Sequence, residues 1–214
     1  MVVSNYDAVR PGRIEVYAGP VKSGKTRELI SRIEPINYLA GAMGVIIRPE
    51  VDTRTENLMS RYGTQSKIRE IRVCERNPEK IISVLEGLKE PQLGVVAIDE
   101  VQFFEKGLLR VVQELSRQEI NVVMAGLNLD FKGETFGIMG DLMAMSDEVT
   151  ILRACCEYTS VRGNCGRPAS RSQRLINGKP AHYNAPIISI DGSKQEEKYE
   201  ARCLEHHLVH GRPD

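Results

Sequence analysis

The chain has no tryptophan and only four phenylalanines among its 214 residues. A core must therefore be built on aliphatic side chains, and a hydrophobic content of 41% suffices for one. An excess of either charge is missing as well, since 29 Lys and Arg stand against 29 Asp and Glu. A neutral chain without a basic run gives no support for a dedicated nucleic-acid binder. No apolar stretch approaches membrane-spanning length, and the N-terminal residues lack the apolar centre of a signal peptide. A soluble cytoplasmic protein with no membrane partner is expected. No internal repeat or low-complexity segment is present. The five cysteines are an odd number, and four of them follow residue 150. That pattern argues for metal ligation over a secreted disulfide framework.

What is present centres on Gly19-Pro20-Val21-Lys22-Ser23-Gly24-Lys25-Thr26. The stretch fits Gly, four residues, Gly-Lys-Ser/Thr, the phosphate-binding P-loop. Ile14 to Ala18 before it reads as a buried strand, and Leu29, Ile30 and Ile33 after it recur at helical spacing. Strand, glycine loop and helix form the context this motif needs. Backbone N–H groups would curl around phosphate oxygens at the positive end of the helix. Lys25 would reach the β- and γ-phosphates, and the Thr26 hydroxyl would ligate Mg²⁺.

Further along, residues 1–12 read as a loose arm, and the first helix should stop near Glu34-Pro35. Residues 44–48 look like the second strand, followed by the polar turn Pro49-Glu50-Val51-Asp52-Thr53-Arg54. Residues 55–70 are polar and are expected to form a mobile connection. Helices are expected over 78–89 and 105–118, with strands over 94–98 and 121–126. Alternating strands and helices imply an α/β fold with a mostly parallel sheet covered on both faces. Beyond residue 153 apolar residues thin out, and a structural metal is a reasonable staple for so small a segment. The expected division is therefore an ATP-binding domain over 1–152 and a metal-binding domain over 153–214.

Asp99-Glu100 ends the apolar run 94–98, the Walker B position of a P-loop protein. Asp99 would support Mg²⁺, leaving Glu100 to deprotonate a hydroxyl acceptor or to orient a water. The metal candidates are Cys155, Cys156, Cys165, Cys203, His206, His207 and His210. Cys203 and His206 have the spacing of a ligand pair, whereas Cys156 and Cys165 lie further apart than usual. Cys74 reads as a small packed hydrophobe. Phe103, Phe104, Phe131 and Phe136 either converge over a cleft or fill cores.

Taken in order, GPVKSGKT, PEVDTR, AIDEVQFF, AGLNLDFKGETFG, CGRPASRSQRLINGKPA and KYEARC resemble the cellular, zinc-containing (type II) thymidine kinase family. The resemblance spans about residues 13 to 207. It implies a RecA-like P-loop domain and a small zinc domain with a lasso loop. The implied reaction is Mg²⁺-dependent transfer of the γ-phosphoryl of ATP to the 5′-hydroxyl of thymidine or deoxyuridine, a step of pyrimidine salvage for DNA synthesis. Glu100 becomes the base, and Gly19 to Thr26 with Asp99 and Gln102 become the nucleotide site. Asp52 and Arg54 fall in a phosphate-side loop. Phe103, Phe131 and Tyr199 would meet the nucleoside, with Ile187, Ile188, Ser189, Ile190 and Asp191 in a lasso over about Asn177–Tyr199. A structural Zn²⁺ would sit on Cys156, Cys165, Cys203 and His206, and a homotetramer is implied.

The chain departs from the family pattern in three places. Val21-Lys22 replaces a Met plus an aromatic residue, Asn128 stands where Asp is usual, and the first zinc pair is stretched by residues 157–164. The stretch leaves the choice between Cys155 and Cys156 open. A P-loop ATPase with a zinc ribbon is the alternative function, and a zinc-stapled nucleotide binder without turnover is the third. With the P-loop assigned to the first domain, zinc loss is expected to weaken nucleoside use more than ATP binding.

Overall fold

Each apolar run recognised above becomes a buried element in the computed structural model, which describes residues 12–38, 41–52, 68–88, 92–161, 163–187 and 196–213. Strand β1 (Ile14–Ala18) leads through the glycine loop into helix α1 (Lys25–Ile33). Pro35 restricts the chain before it, and the α-helix gives way to a 3-10 turn over Glu34–Tyr38. There follow β2 (Ala42–Pro49), β3 (Ile68–Val73), α2 (Lys80–Glu86), β4 (Gln92–Ile98), α3 (Gly107–Arg117), β5 (Asn121–Gly126), α4 (Met139–Met145) and β6 (Glu148–Ile151).

These strands form a six-stranded sheet in the order β3-β2-β4-β5-β1-β6. The β2/β3, β2/β4 and β4/β5 pairs are parallel. Asp147 N–H donates to the Ile14 carbonyl and Leu152 N–H to the Ala18 carbonyl, so the chain around β6 runs in the same sense as β1. Because β5 lies between β1 and β4, the strand of the P-loop and the strand of the acid pair are second neighbours. This is the α/β architecture that the sequence implies. Strands β2, β4 and β5 read as continuous apolar runs because both of their faces are covered. On one face Ile46, Ala97, Val123 and Ala125 pack against Leu29, Ile30 and Ile33 of α1. Val45, Ile47, Val96, Ile98, Val122 and Met124, which alternate with them, are buried as well.

One expectation is corrected. Residues 68–70 do not belong to a mobile connection but open β3, paired in register with β2. Charge hides this strand from its sequence, because Glu70 turns toward a buried cation. Arg48 on β2 is fully buried, with Nη1 2.6 Å from Glu70 Oε1 and Nη2 2.6 Å from Asp52 Oδ2. Arg72 donates to the Asp52 carbonyl. Residues 53–67, and with them Arg54, lie outside the described residues, as do residues 1–11 of the expected arm.

Contacts divide the chain into two units. The sheet and its helices occupy the first, formed by residues 1–17, 26–126 and 137–150. The second gathers Ala18–Lys25, Leu127–Phe136 and Ile151–Asp214. It is built from short antiparallel pieces: β7 (Ala154–Cys155) with β10 (Pro168–Ala169), β8 (Thr159–Ser160) with β9 (Gly163–Asn164), and β11 (Arg171–Ile176) flanked by β12 (Lys179–Pro180) and β13 (Glu197–Arg202). Among the described residues, no helix is long and apolar enough to cross a membrane.

The buried triad yields a stability prediction. Arg48→Met leaves Asp52 and Glu70 without their shared cation, and removing one partner of a buried ion pair costs about 3–5 kcal/mol. Urea denaturation should show a loss of that size, and a loss below about 1 kcal/mol, the range of a surface pair, would mean that the triad does not hold β2 and β3 together.

Candidate active site and metal centre

The P-loop owes its path to backbone that few residues tolerate. Gly19 has φ +152°, and a Cβ there would lie 2.5 Å from the Leu152 carbonyl oxygen, so only glycine fits. Gly24 is also in the positive-φ region, and Lys22 enters it as a non-glycine at φ 61°. Two contacts within the second unit brace the loop. Val21 N–H donates to Ser172 Oγ at 3.1 Å, and Lys22 Nζ lies 2.5 Å from Glu157 Oε1. Lys25 is buried, its ammonium donating to the Pro20 carbonyl at 2.7 Å. The Ser23 hydroxyl oxygen is buried and has no hydrogen-bond partner among the described residues. An orphaned hydroxyl and a buried lysine two residues apart, on a loop at a helix N-terminus, fit a phosphate chain.

In the first unit, Thr26 Oγ1 stands 3.1 and 3.2 Å from the two carboxylate oxygens of Asp99. Asp99 is almost completely buried at the end of β4. A hydroxyl and a carboxylate in contact are the hard oxygen donors that Mg²⁺ takes. Glu100 follows with a left-handed backbone, φ 53°, and starts a 3-10 turn over Val101–Phe103. Such a conformation costs a non-glycine about 1–3 kcal/mol and is concentrated at functional sites. Gln102 is buried, and its amide donates to Glu100 Oε2 at 2.6 Å. Gln102 is itself confined. A Cβ on Gly126 would fall 2.7 Å from its Oε1, and one on Gly137 would fall 2.6 Å from its carbonyl oxygen. Phe103 is half-buried while Phe104 is buried. Asp52 is buried against Arg48.

Of the residues assigned to the nucleoside, Phe103 lies in the first unit, and Phe131, Ile187 and Tyr199 lie in the second. In the loop Leu127–Phe136, Asp130 Oδ1 accepts the N–H groups of Lys132 and Glu134 at 2.8 and 3.0 Å. Burial raises the Asp130 carboxyl above its ordinary value despite those bonds. Phe131 is buried, and its carbonyl lies 2.9 Å from His207 Nε2. Burial lowers the His207 imidazole, so it is neutral at pH 7 and donates this bond. Tyr199 on β13 is half-buried, and burial pushes its phenol up to about 12, which keeps it a neutral donor. Asn128 Oδ1 is buried without a hydrogen-bond partner among the described residues. Ile187 is partly exposed, whereas Ile188, Ser189, Ile190 and Asp191 lie outside the described residues. The two Phe pairs are divided between the units, Phe103 and Phe104 in the first and Phe131 and Phe136 in the second.

The same unit gathers Cys156, Cys165, Cys203 and His206, whose ligand atoms all lie within 4.8 Å of one another. His206 Nδ1 is 3.6 Å from Cys156 Sγ and 3.4 Å from Cys203 Sγ, and Cys165 Sγ is 4.0 Å from Cys203 Sγ. Tetrahedral Zn²⁺ with ordinary bond lengths requires S···S of about 3.8 Å and S···N of about 3.6 Å, so this set can hold zinc. The wide spacing between Cys156 and Cys165 is closed by the β8–β9 hairpin: Cys165 N–H donates to the Tyr158 carbonyl and Gly166 N–H to that of Cys156. Cys155 is exposed and outside the cluster, whereas Cys156 is buried within it. His207 Nε2 is engaged by the Phe131 carbonyl, and neither His207 nor His210 belongs to the cluster. Burial alone would raise the Cys156 thiol. The backbone N–H groups of Cys203 and Tyr158, with the His206 and Cys203 side chains, outweigh burial and bring it down to about 6. Burial raises the Cys203 thiol.

Sequence reasoning missed the brackets around these residues. Gly126, Gly137 and Ser172 lie inside the quoted motifs and His207 was considered only as a metal candidate, so none of the four was singled out as a support for its neighbours. For the metal set, analysis of purified protein should find one zinc per chain in the Cys155→Ser variant and none in Cys203→Ser. Zinc retained in Cys203→Ser would exclude this ligand set.

Comparison with known proteins agrees with the geometry. The family described as thymidine kinase matches residues 12–207. The chain is 40% identical over 202 residues to a thymidine kinase of Thermococcus kodakarensis, covering 92% of this chain and 95% of the relative. It is also 40% identical over 201 residues to a thymidine kinase of Coprothermobacter proteolyticus, covering 94% and 93% of the two chains. A match over nearly the whole length, on a chain that carries the P-loop, the acid pair and the cysteine–histidine cluster in order, shows that this protein belongs to the thymidine kinase family.

Proposed function

We propose that the protein phosphorylates thymidine, or deoxyuridine, at its 5′-hydroxyl with ATP as donor and Mg²⁺ as cofactor, giving dTMP from thymidine. The observation that carries the chemistry is the pair Asp99-Glu100: the first acid lies on the Thr26 hydroxyl, and a strained backbone directs the second elsewhere.

In this reading Gly19, Pro20, Val21, Lys22, Ser23 and Gly24 surround the phosphates with backbone N–H groups and the Ser23 hydroxyl, and Lys25 balances their charge. Thr26 and Asp99 offer oxygen ligands to Mg²⁺, which neutralises charge developing on the transferred group. Asp52 and Arg54 complete the phosphate side, and Gln102 holds Glu100 through Oε2. Glu100 accepts the proton of the 5′-hydroxyl as its oxygen bonds to the γ-phosphorus, while the bond from that phosphorus to the β,γ-bridging oxygen breaks and ADP leaves. Phe103, Phe131, Tyr199 and the backbone of Ile187 to Asp191 contact the nucleoside, whose pyrimidine edge suits such groups. Zn²⁺ on four protein ligands has no open position for water or substrate, so its role is structural. Residues 1–152 carry the ATP chemistry and 153–214 the zinc and the lasso. A cytoplasmic homotetramer, with no nucleic-acid or membrane partner, completes the proposal.

Product analysis after incubation with Mg-ATP and thymidine tests it: dTMP is expected, whereas inorganic phosphate alone would identify an ATPase and unchanged ATP a binder. Glu100→Gln retains size and hydrogen bonding but cannot take the proton, and loss of a general base lowers turnover by about 10²–10⁴. ATP affinity should hardly change, and a tenfold or smaller drop in turnover would remove Glu100 from the role of base. Lys25→Ala should remain folded but transfer no phosphate, which circular dichroism and the same product assay would show together.

A further inference from the structure

Strand β11 carries Ser172 and Arg174 two residues apart, hence on one face of its small sheet. Ser172 receives Val21 N–H. Arg174 is only 3% exposed although its guanidinium is permanently charged. Burial of such a group requires partners, and Arg174 has three kinds. Its Nε lies 2.7 Å from Glu197 Oε1, and Nη2 donates to Glu197 Oε2 at 3.1 Å. Nη1 donates to the carbonyl of Pro186. Its guanidinium carbon stands 5.5 Å from the centre of the Phe131 ring, within the range of a cation–π contact. Tyr199 is its direct cross-strand neighbour on β13.

A single side chain thus ties together the Phe131 ring, Pro186 and Glu197, which are distant in sequence but lie in one unit. The planar fork makes this possible: its edges take a carboxylate and a carbonyl while its face covers an aromatic ring. A lysine ammonium carries the same charge as a compact point and cannot satisfy all three at once.

We propose that Arg174 is a positioning residue for nucleoside recognition. It fixes the Phe131 ring and the Pro186 and Glu197 anchors without touching the reacting atoms. The proposal rests on the thymidine kinase reading, in which Phe131 and Tyr199 meet the nucleoside. Its consequence is a division of kinetic effects. Loss of Arg174 should act on thymidine binding, while phosphate binding through Lys25 and proton transfer at Glu100 keep their own supports.

Arg174→Met and Arg174→Lys test this in the zinc-loaded full chain. Arg174→Met should raise the thymidine KM about tenfold or more, the scale of a misplaced positioning contact. The ATP KM and kcat should stay close to the parent values. Arg174→Lys should recover only part of the defect, and it supplies the same comparison if the Met variant does not fold. An unchanged thymidine KM, an equal rise in both KM values, or complete rescue by Lys would overturn the proposal. Hydrogen exchange of the backbone amides of residues 129–136 is read in parallel, without substrate. Faster exchange in the variants is the expected result, and unchanged exchange would contradict the positioning role. If the parent protein made no dTMP, the kinase reading would fail, and the exchange comparison would still decide whether Arg174 holds Phe131.

Discussion

Among its described residues the second unit buries few large apolar side chains, chiefly Phe131 and Phe136, alongside the side chains that can bind metal. Its buried cluster consists of Cys156, Ala169, Ala201 and Cys203, with Val21, Ala154, Tyr158 and Cys165 packed against it. Two alanines and a few half-buried neighbours give this cluster little apolar area to offset the entropy of ordering the short strands around it. Structural zinc contributes about 10–16 kcal/mol in small zinc-binding peptides, so zinc on the four-ligand cluster, as proposed, would supplement this small core. Tyr158 stacks on His206 with ring centres 4.1 Å apart, and Arg202 lies 5.6 Å from the Tyr158 ring. These contacts orient the histidine, and the proposed functional groups of the unit follow from the same centre. Cys203 directly follows the strand of Tyr199, His207 next to the histidine ligand holds the Phe131 carbonyl, and Val21 brings the P-loop onto the cluster.

The sheet follows a different rule, being stable through aliphatic packing and strained where chemistry is assigned. Buried strands β2, β4 and β5 form a rigid base whose carboxyl ends carry the turn to Asp52, the acid pair and the loop after Gly126. That is where parallel sheets place ligands. The left-handed Glu100 is held by Gln102, and Gln102 is held by two glycines that leave it no space. Arg48 similarly anchors Asp52 from below. Glu100 and Asp52 are thus held by neighbouring side chains, which reduces the reorganisation needed at the moment of transfer.

Features governed by local chemistry were legible in the sequence. The P-loop, the strand that ends in Asp99-Glu100 and the stop of α1 before Pro35 depend on neighbouring residues, and the structure has them in place. Strand β3 was hidden because its Glu70 faces a buried arginine, which turns an inward position into a polar one. The choice between Cys155 and Cys156 stayed open because eight residues separate Cys156 from Cys165 and the two meet only through a hairpin, whose pairing of Thr159 with Asn164 has no strong turn signature. Arg174 was given no role of its own, and His207 was read only as a metal candidate. Their burial comes from long-range contacts with Glu197, Pro186 and Phe131, which no local pattern records.

Assignment of the P-loop by sequence position suggested that zinc matters to the nucleoside and little to ATP. The structure changes that expectation, since Ala18–Lys25 belongs to the unit of the metal cluster and Val21 packs directly on it. Calorimetric titration of ATP and of thymidine, before zinc removal, after chelation and after zinc return, addresses this most directly. Both affinities should weaken on chelation and both should recover with zinc, while the far-ultraviolet signal of the α/β sheet persists. An ATP affinity unchanged in the zinc-free protein would contradict the account.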